Sequence, residues 1–256
     1  MADINLSSLF SVKYVFLFLV GLFSSSFGTL AGGGGLLTIP VLMLLGLPPD
    51  MAIATNRFSV NGLIIAGLYE FTKKGMVSYK IGLTIALPAL IGSFFGSMLV
   101  LRIDDDVLTY TIAAVTILVL IIMVLKPNIG VVGRNISIGK THYAMGMLVS
   151  FFIGVQSGFY GPATGIFLSY LLVLLFGQTF IESAATRKVV TLFSSLLATA
   201  VFIVAKAVVY PMGIVLFLGN LTGSWLGSHY SERIGNIWVK RLFIGVVISM
   251  VLKLLI

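Results

Sequence analysis

The 256-residue chain contains no cysteine, two histidines and eight acidic residues. Each shortage removes a class of chemistry. Without cysteine there can be no disulfide, no thiolate metal site and no cysteine nucleophile. His142 and His229 both fall near predicted loops, so no histidine metal centre is expected and no metal or other cofactor is called for. Neither histidine nor any carboxylate is placed to activate a serine, which leaves no visible triad and no reason to expect an enzyme. Charge is also scarce, at 9% of residues against about 25% in soluble domains. No hydrophilic stretch is long enough to make a soluble domain.

What fills the chain instead is apolar. Hydrophobic residues make up 59%, and the mean hydropathy is +1.13. A helix needs roughly 20 apolar residues to cross a bilayer. Ile81–Leu101 and Val107–Leu125 are each long enough and almost uninterrupted. The runs are continuous rather than alternating, which indicates helices and not a barrel. The chain is therefore expected to be an all-α polytopic membrane protein in contact with lipid. Its net charge of +8 fits the excess of Lys and Arg in cytoplasmic loops, so no nucleic-acid partner is inferred. Lys13 and the apolar run after it resemble a signal peptide. A counterpart stands mid-chain at Tyr143–Gly161, however, so the first helix is expected to belong to the fold.

The sequence is written twice. Gly92-Ser93-Phe94-Phe95-Gly96-Ser97 recurs as Gly223-Ser224-Trp225-Leu226-Gly227-Ser228, and Ala54-Thr55 as Ala185-Thr186, both at an offset of 131 residues. Gly28 and Gly35 match Gly158 and Gly165 at 130. A repeat of this length implies two structural halves with a site between them, a common transporter design. The expected division is residues 1–125, a cytoplasmic linker at 126–141, and residues 142–256. Each half reads as an apolar helix, a break, a short apolar piece and three transmembrane helices. The first half runs from about Val12 through Gly32–Gly35 and Leu36–Leu45 to Asp50–Phe71, Ile81–Leu101 and Val107–Leu125. The second runs through Tyr143–Gly158, Gly161-Pro162, Ile166–Phe176, Phe180–Ala205, Pro211–Ser228 and Val239–Leu255.

The uncharged stretch Tyr14–Pro49, less its glycine turn, makes roughly 46 Å of helix. Two full crossings need about 60 Å, so a hairpin that dips into the membrane and returns is expected. Each half then crosses an odd number of times, and the halves are inverted. Charge agrees with this parity. It gathers Lys73, Lys74, Lys80, Lys126, Arg134, Lys140, Arg233, Lys240 and Arg241 on the cytoplasmic side, against Lys13, Arg102, Lys206 and Lys253.

Two constellations are candidates for a substrate path. The first is the pair of breaks, Gly33, Gly34 and Gly35 in one half and Gln156, Ser157, Gly158 and Gly161 in the other. An interruption at membrane depth survives only in protein or beside a wet cavity, and glycine lets a ligand approach the backbone. The second is the start of the third helix, where Thr55-Asn56-Arg57 aligns with Thr186-Arg187-Lys188. Cations so deep in apolar sequence are usually functional, and these have no matching acidic cluster, which describes an anion site. Arg187 adds a planar fork suited to an oxyanion. Against this, Arg57 could snorkel or pair with Asp50, and Glu182 could neutralise Arg187. The Gly-Ser-x-x-Gly-Ser repeats read as close-packing helix faces, which would also permit a homodimer.

The glycine-rich break, the run from Pro48 ending Ala-x-Ala-Thr-Asn at Asn56, and the second copy around Gly158–Lys188 together resemble the sulfite exporter TauE/SafE family. The likeness covers essentially the whole chain. It implies a multi-pass inner-membrane carrier of small sulfur-containing anions, with sulfite export as the leading expectation. Uptake of an organosulfonate or another small oxyanion, or an anion channel, stands as the alternative. It also implies that Gly32–Gly35, Thr55-Asn56, Gly158–Gly161 and Thr186-Arg187 lie along the substrate path. The second copy departs from the pattern, reading Gly158-Phe159-Tyr160-Gly161-Pro162 where the first has a glycine run.

Overall fold

The structure, a computed structural model, describes residues 6–111, 114, 137–231 and 233. The described residues are helical with no strand. They form α1 (Leu6–Ala31), α2 (Gly35–Leu44), α3 (Pro49–Lys73), α4 (Tyr79–Val100), α5 (Lys140–Phe159), a 3-10 turn at Gly161–Ala163, α6 (Thr164–Phe176), α7 (Phe180–Val204) and α8 (Tyr210–His229). A further helical stretch runs from 105 to 111. Most of the linker expected at 126–141, most of Val107–Leu125 and all of Val239–Leu255 lie outside the described residues, as do Lys126, Arg134, Lys240, Arg241 and Lys253.

Among the described residues, four helices are long and apolar enough to cross a membrane: Val12–Ala31 within α1, then α3, α4 and α7. Helices α5 and α8 have 20 residues each, about 30 Å of helix, but they carry small and polar residues on their buried faces. Local chemistry sets the ends. Pro49 occupies the first turn of α3, where its missing N–H costs nothing. Thr179 and Glu182 form a capping box at the start of α7. After α3 and α7 the chain takes the same left-handed step, at Gly75 (φ 67°) and at its repeat partner Lys206 (φ 57°). The repeat is thus preserved even where one copy lacks the glycine that makes the conformation easy.

The expected hairpins are present with unequal arms. Helix α1 continues through Lys13 to Leu6, giving 26 residues, while α2 has only 10. One arm can cross the bilayer alone and the other reaches about halfway. The length estimate from sequence stopped at Lys13 because a charge normally ends a span. Here the Lys13 ammonium donates to the Leu45 carbonyl at 3.5 Å, so the short arm ends beside the start of the long one. The second half repeats the design with α5 and the 13-residue α6.

The two halves interlock reciprocally. Helix α1 packs on α8 and α5 packs on α4, so the first helix of each half lies on the fourth helix of the other. The Gly-Ser-x-x-Gly-Ser faces make these contacts. A Cβ on Gly92 or Gly96 would strike the carbonyls of Phe151 and Val155, and one on Gly223 or Gly227 those of Leu22 and Ser26. Both faces are therefore used within the chain, as close-packing surfaces at the junction of the two halves. Polar bonds follow the same exchange. Ser93 Oγ donates to Ser194 O at 2.8 Å, and its partner Ser224 Oγ donates to Leu63 O at 2.7 Å. The Ser78 amide donates to Thr186 Oγ1 at 3.1 Å, and the Val209 amide to Thr55 Oγ1 at 3.0 Å.

These contacts predict unequal sensitivities. An interhelical hydroxyl bond in a membrane is worth about 0.6 kcal/mol and seldom above about 1.7, so Ser93→Ala should be tolerated. Gly96→Val must push two backbones apart and is expected to cost at least about 3 kcal/mol. Thermal unfolding of the two variants in detergent provides the comparison.

Candidate functional site

The tips of the two hairpins touch. Gly32 (φ 76°) and Gly33 (φ 89°) turn the chain from α1 into α2 through left-handed conformations that glycine alone adopts freely. A Cβ on Gly32 would sit 2.8 Å from the Gly165 carbonyl carbon and the Ile166 nitrogen, and one on Gly35 would sit 2.7 Å from Pro162 Cγ. The second tip breaks differently. Tyr160 is extended (φ −141°, ψ 89°) and Pro162 opens the 3-10 turn. Both short helices begin here without a side-chain cap, α2 at Gly35 and α6 at Thr164. The Leu36 and Leu37 amides donate to Gly33 O and Gly34 O at 2.9 and 3.2 Å and the Thr164 amide to Gly161 O, and both helix dipoles present their positive ends.

Helices α3 and α7 close the site from the sides. A cavity of about 70 Å³ lies between the tips and these helices, lined by Gly28, Gly32–Gly35, Asn56, Arg57, Val60, Leu63, Ile64, Gly161, Pro162, Thr164, Gly165, Arg187, Lys188 and Thr191. The two halves contribute matching positions: Asn56 and Arg187, Arg57 and Lys188, Val60 and Thr191, Gly34 and Thr164, Gly35 and Gly165.

The three cations are buried, with 5% of Arg57, 2% of Arg187 and 2% of Lys188 exposed. They are employed differently. Arg187 Nη2 donates to the carbonyls of Thr29 and Leu30 at 2.9 Å and of Gly28 at 3.3 Å, and Nη1 donates to Gly165 O at 2.7 Å and Ser169 Oγ at 2.5 Å. Gly28, Thr29 and Leu30 end α1, where carbonyls lack helical partners and the dipole is negative. Arg187 thus clasps the end of one hairpin arm to the start of the other half's short helix. Arg57 lies against Gly161, whose missing side chain leaves room for the guanidinium, and its Nη2 has no hydrogen-bond partner among the described residues. Lys188 likewise has no ion-pair or hydrogen-bond partner among them.

Among the described residues no carboxylate pairs with these charges. Asp50 accepts from the Met51 amide at 2.6 Å at the head of α3, and Glu182 is held in its capping box with Thr179. Among the described residues the only ion pair joins His229 to Glu70, at 3.3 Å. Asn56 Oδ1 accepts from Thr38 Oγ1 at 2.5 Å, which turns its amide nitrogen toward Gly35 and the cavity.

A family model described as sulfite exporter TauE/SafE matches residues 17–254. The chain belongs to this family. It is 30% identical over 239 residues to a probable membrane transporter protein of Haemophilus influenzae, covering 93% of this chain and 92% of that one. It is also 30% identical over 252 residues to the probable membrane transporter protein YfcA of Escherichia coli K12, covering 97% and 93%. A third relative, the probable membrane transporter protein ORF9 of a Sinorhizobium species, is 30% identical over 242 residues, 94% of this chain and 91% of its own. No solved structure matches the chain. The protein is a membrane transporter of the TauE/SafE family.

In this transporter the sequence-derived site residues divide into two groups. Gly33, Gly34, Gly35, Asn56, Arg57, Gly161, Arg187 and Lys188 line the cavity. The others support it from outside. Thr55 and Thr186 accept amides across the half-to-half junction, and Gln156 spans the second break, its amide donating to Tyr160 O while Oε1 accepts from Thr164 at 3.2 Å. Ser157 is buried away from the cavity, and Gly158 packs on the Ser93 carbonyl. Sequence reasoning missed Val60 and Thr191 as lining residues. Helical spacing could have found them, one turn beyond Arg57 and Arg187.

Proposed function

We propose that this transporter carries a small sulfur-containing oxyanion, sulfite foremost, across the inner (plasma) membrane by alternating access between two inverted repeats. The observation that carries the reading is the buried, unpartnered Arg57 Nη2 facing a cavity that also holds Lys188. An uncompensated buried charge costs several kcal/mol, and an anion in the cavity would offset two at once. Arg57 and Lys188 supply the charge, the Asn56 amide supplies a further donor, the N-terminal dipoles of α2 and α6 favour an anion, and Arg187 holds the tips in place. A cavity of about 70 Å³ has space for a few waters. That size suits sulfite better than an organosulfonate such as taurine. The exchanged contacts, the unequal hairpins and the bias of basic residues all favour inverted halves. An inside-negative potential drives an anion outward, about 2.3 kcal/mol per charge at 100 mV, which favours export.

Thermal stability of the purified protein with sulfite, sulfate or taurine tests the assignment. At a sulfite concentration of 100 times Kd, the expected stabilisation is about 2.7 kcal/mol, with a smaller response to the other two anions. Counterflow of labelled sulfite in proteoliposomes distinguishes a carrier from a channel. Equal stabilisation by all three anions would defeat the sulfite assignment.

A further inference from the structure

One buried carboxylate takes no part in the cavity or in capping a helix. Glu70 is 6% exposed near the end of α3, where its Oε1 accepts from Trp225 Nε1 at 3.1 Å and its Oε2 faces His229 Nδ1 at 3.3 Å, both on α8. The His229 side chain is 47% exposed, so the imidazole touches both the aqueous phase and the buried carboxylate. Its ring stacks on Trp225 with centroids 5.4 Å apart, and Tyr230 closes on its edge at 4.9 Å. Lys74 donates to Ser228 O and His229 O at 2.8 Å and to Ser231 Oγ at 3.0 Å, tying the α3–α4 turn to the end of α8.

The repeat supplies an internal control. The same junction occurs a second time, where α7 packs on α4. There the positions of Glu70, Lys74, Trp225 and His229 are filled by Val201, Ala205, Phe94 and Met98. The helices meet equally well without an ionisable group, so packing does not require Glu70 or His229. Their presence at one junction only gives the molecule a titratable group on a single side of an otherwise reciprocal framework.

The helix that carries Glu70 also lines the cavity, through Asn56, Arg57 and Ile64. One turn before Glu70, a Cβ on Gly67 would lie 2.9 Å from Lys188 Cε, 2.9 Å from Thr29 Oγ1 and 3.0 Å from Ser224 Oγ. Lys188 therefore reaches α3 at Gly67, beside the hydrogen-bonded Thr29–Ser224 hydroxyls (2.9 Å). Among the described residues, the charged and titratable groups at this end of α3 are His229 and Tyr230 on or after α8, Lys74 and Lys73 at the end of α3, with Lys73 over the Tyr69 ring at 5.0 Å, and Tyr79 of α4, hydrogen-bonded to Thr72 at 2.6 Å. Helix α1 presents only hydroxyls here, since Lys13 and Tyr14 stand at its other end.

We propose that Glu70 and His229 form a proton-binding site that couples proton movement to passage of the anion. It rests on the anion-carrier reading for its second half only. His229 passes a proton between the aqueous phase and Glu70 Oε2. The carboxylate form holds α3 to α8 through Trp225 and His229, and the protonated form weakens that hold. Proton occupancy thereby biases the packing of α3, which lines the cavity, against α8 of the other half. Intramembrane carboxylates serve as proton relays in other carriers on the same physical grounds.

Glu70→Gln separates the roles, since the amide keeps an oxygen for Trp225 but cannot bind a proton. In an infrared pH titration of purified protein, wild type should show a carboxylic-acid C=O band that Glu70→Gln lacks. In proteoliposomes loaded with pyranine, wild type should move protons as sulfite flows down its gradient. Glu70→Gln should keep sulfite counterflow close to wild type and lose at least about tenfold of the proton movement. His229→Gln should slow proton movement and leave the infrared band in place. Absence of a Glu70-dependent band overturns the proton site, and so does undiminished proton movement in Glu70→Gln. A titrating band in a protein that exchanges no sulfite supports the proton site and sinks only the sulfite assignment.

Discussion

Arg57→Met is expected to abolish selective sulfite binding while making the ligand-free protein no less stable than wild type. The guanidinium is buried with Nη2 unpartnered, so in the empty site it is a net cost to folding. A long apolar chain of similar reach removes that cost and fills the same space beside Gly161. Loss of one partner from a buried, hydrogen-bonded charge pair typically costs about 2–5 kcal/mol of binding, roughly 30- to 5,000-fold in Kd. Calorimetry with sulfite and thermal unfolding without it read the two quantities separately. A variant that binds sulfite normally would mean that Arg57 does not face the anion. A variant that simply unfolds would mean that its charge is satisfied by the protein itself.

Arg187 is expected to behave in the opposite way. Its guanidinium serves five acceptors on two elements, the closing carbonyls of α1 and the first turns of α6. Each hydrogen bond from a charged group contributes about 1.5–3 kcal/mol, and removing this donor leaves several buried carbonyls unpaired. Arg187→Gln should lower stability by about 3–5 kcal/mol, and with it all transport, whatever the substrate. Arg187→Lys should not restore it, because one ammonium cannot span both the α1 and α6 acceptors as the planar fork does. Thermal unfolding in detergent reads this directly. An Arg187→Gln protein of unchanged stability that had lost only anion binding would return Arg187 to the role its fork first suggested.

The contrast between these two arginines marks where sequence reasoning ended. Helical membrane character, the two-copy organisation, the breaks and the depth of the cations were all readable in the chain. Each depends on composition or on short-range order, such as long uncharged runs, a constant offset, or glycines between apolar segments. The Gly-Ser-x-x-Gly-Ser repeats were readable as packing faces for the same reason, since small residues four apart must share one side of a helix. That these faces would be consumed inside the chain depended on which helix met which.

What the tertiary structure decided is how each polar side chain is used. Arg57 and Arg187 look alike in sequence, both within the Ala-Thr-x-x runs that open the third helices. They differ because the α1 carbonyls that satisfy Arg187 arrive from 157 to 159 positions away, while Arg57 meets a glycine. Thr55 and Thr186, expected along the substrate path, accept amides 154 and 108 positions distant. Glu70 stands near a helix end, and Trp225 and His229 close over it from 155 and 159 positions away. A side chain's local sequence sets its charge and its depth in the membrane. Its hydrogen-bond partners are chosen by helices that meet only on folding, and those partners determine whether a buried charge holds the protein together or remains free for a ligand.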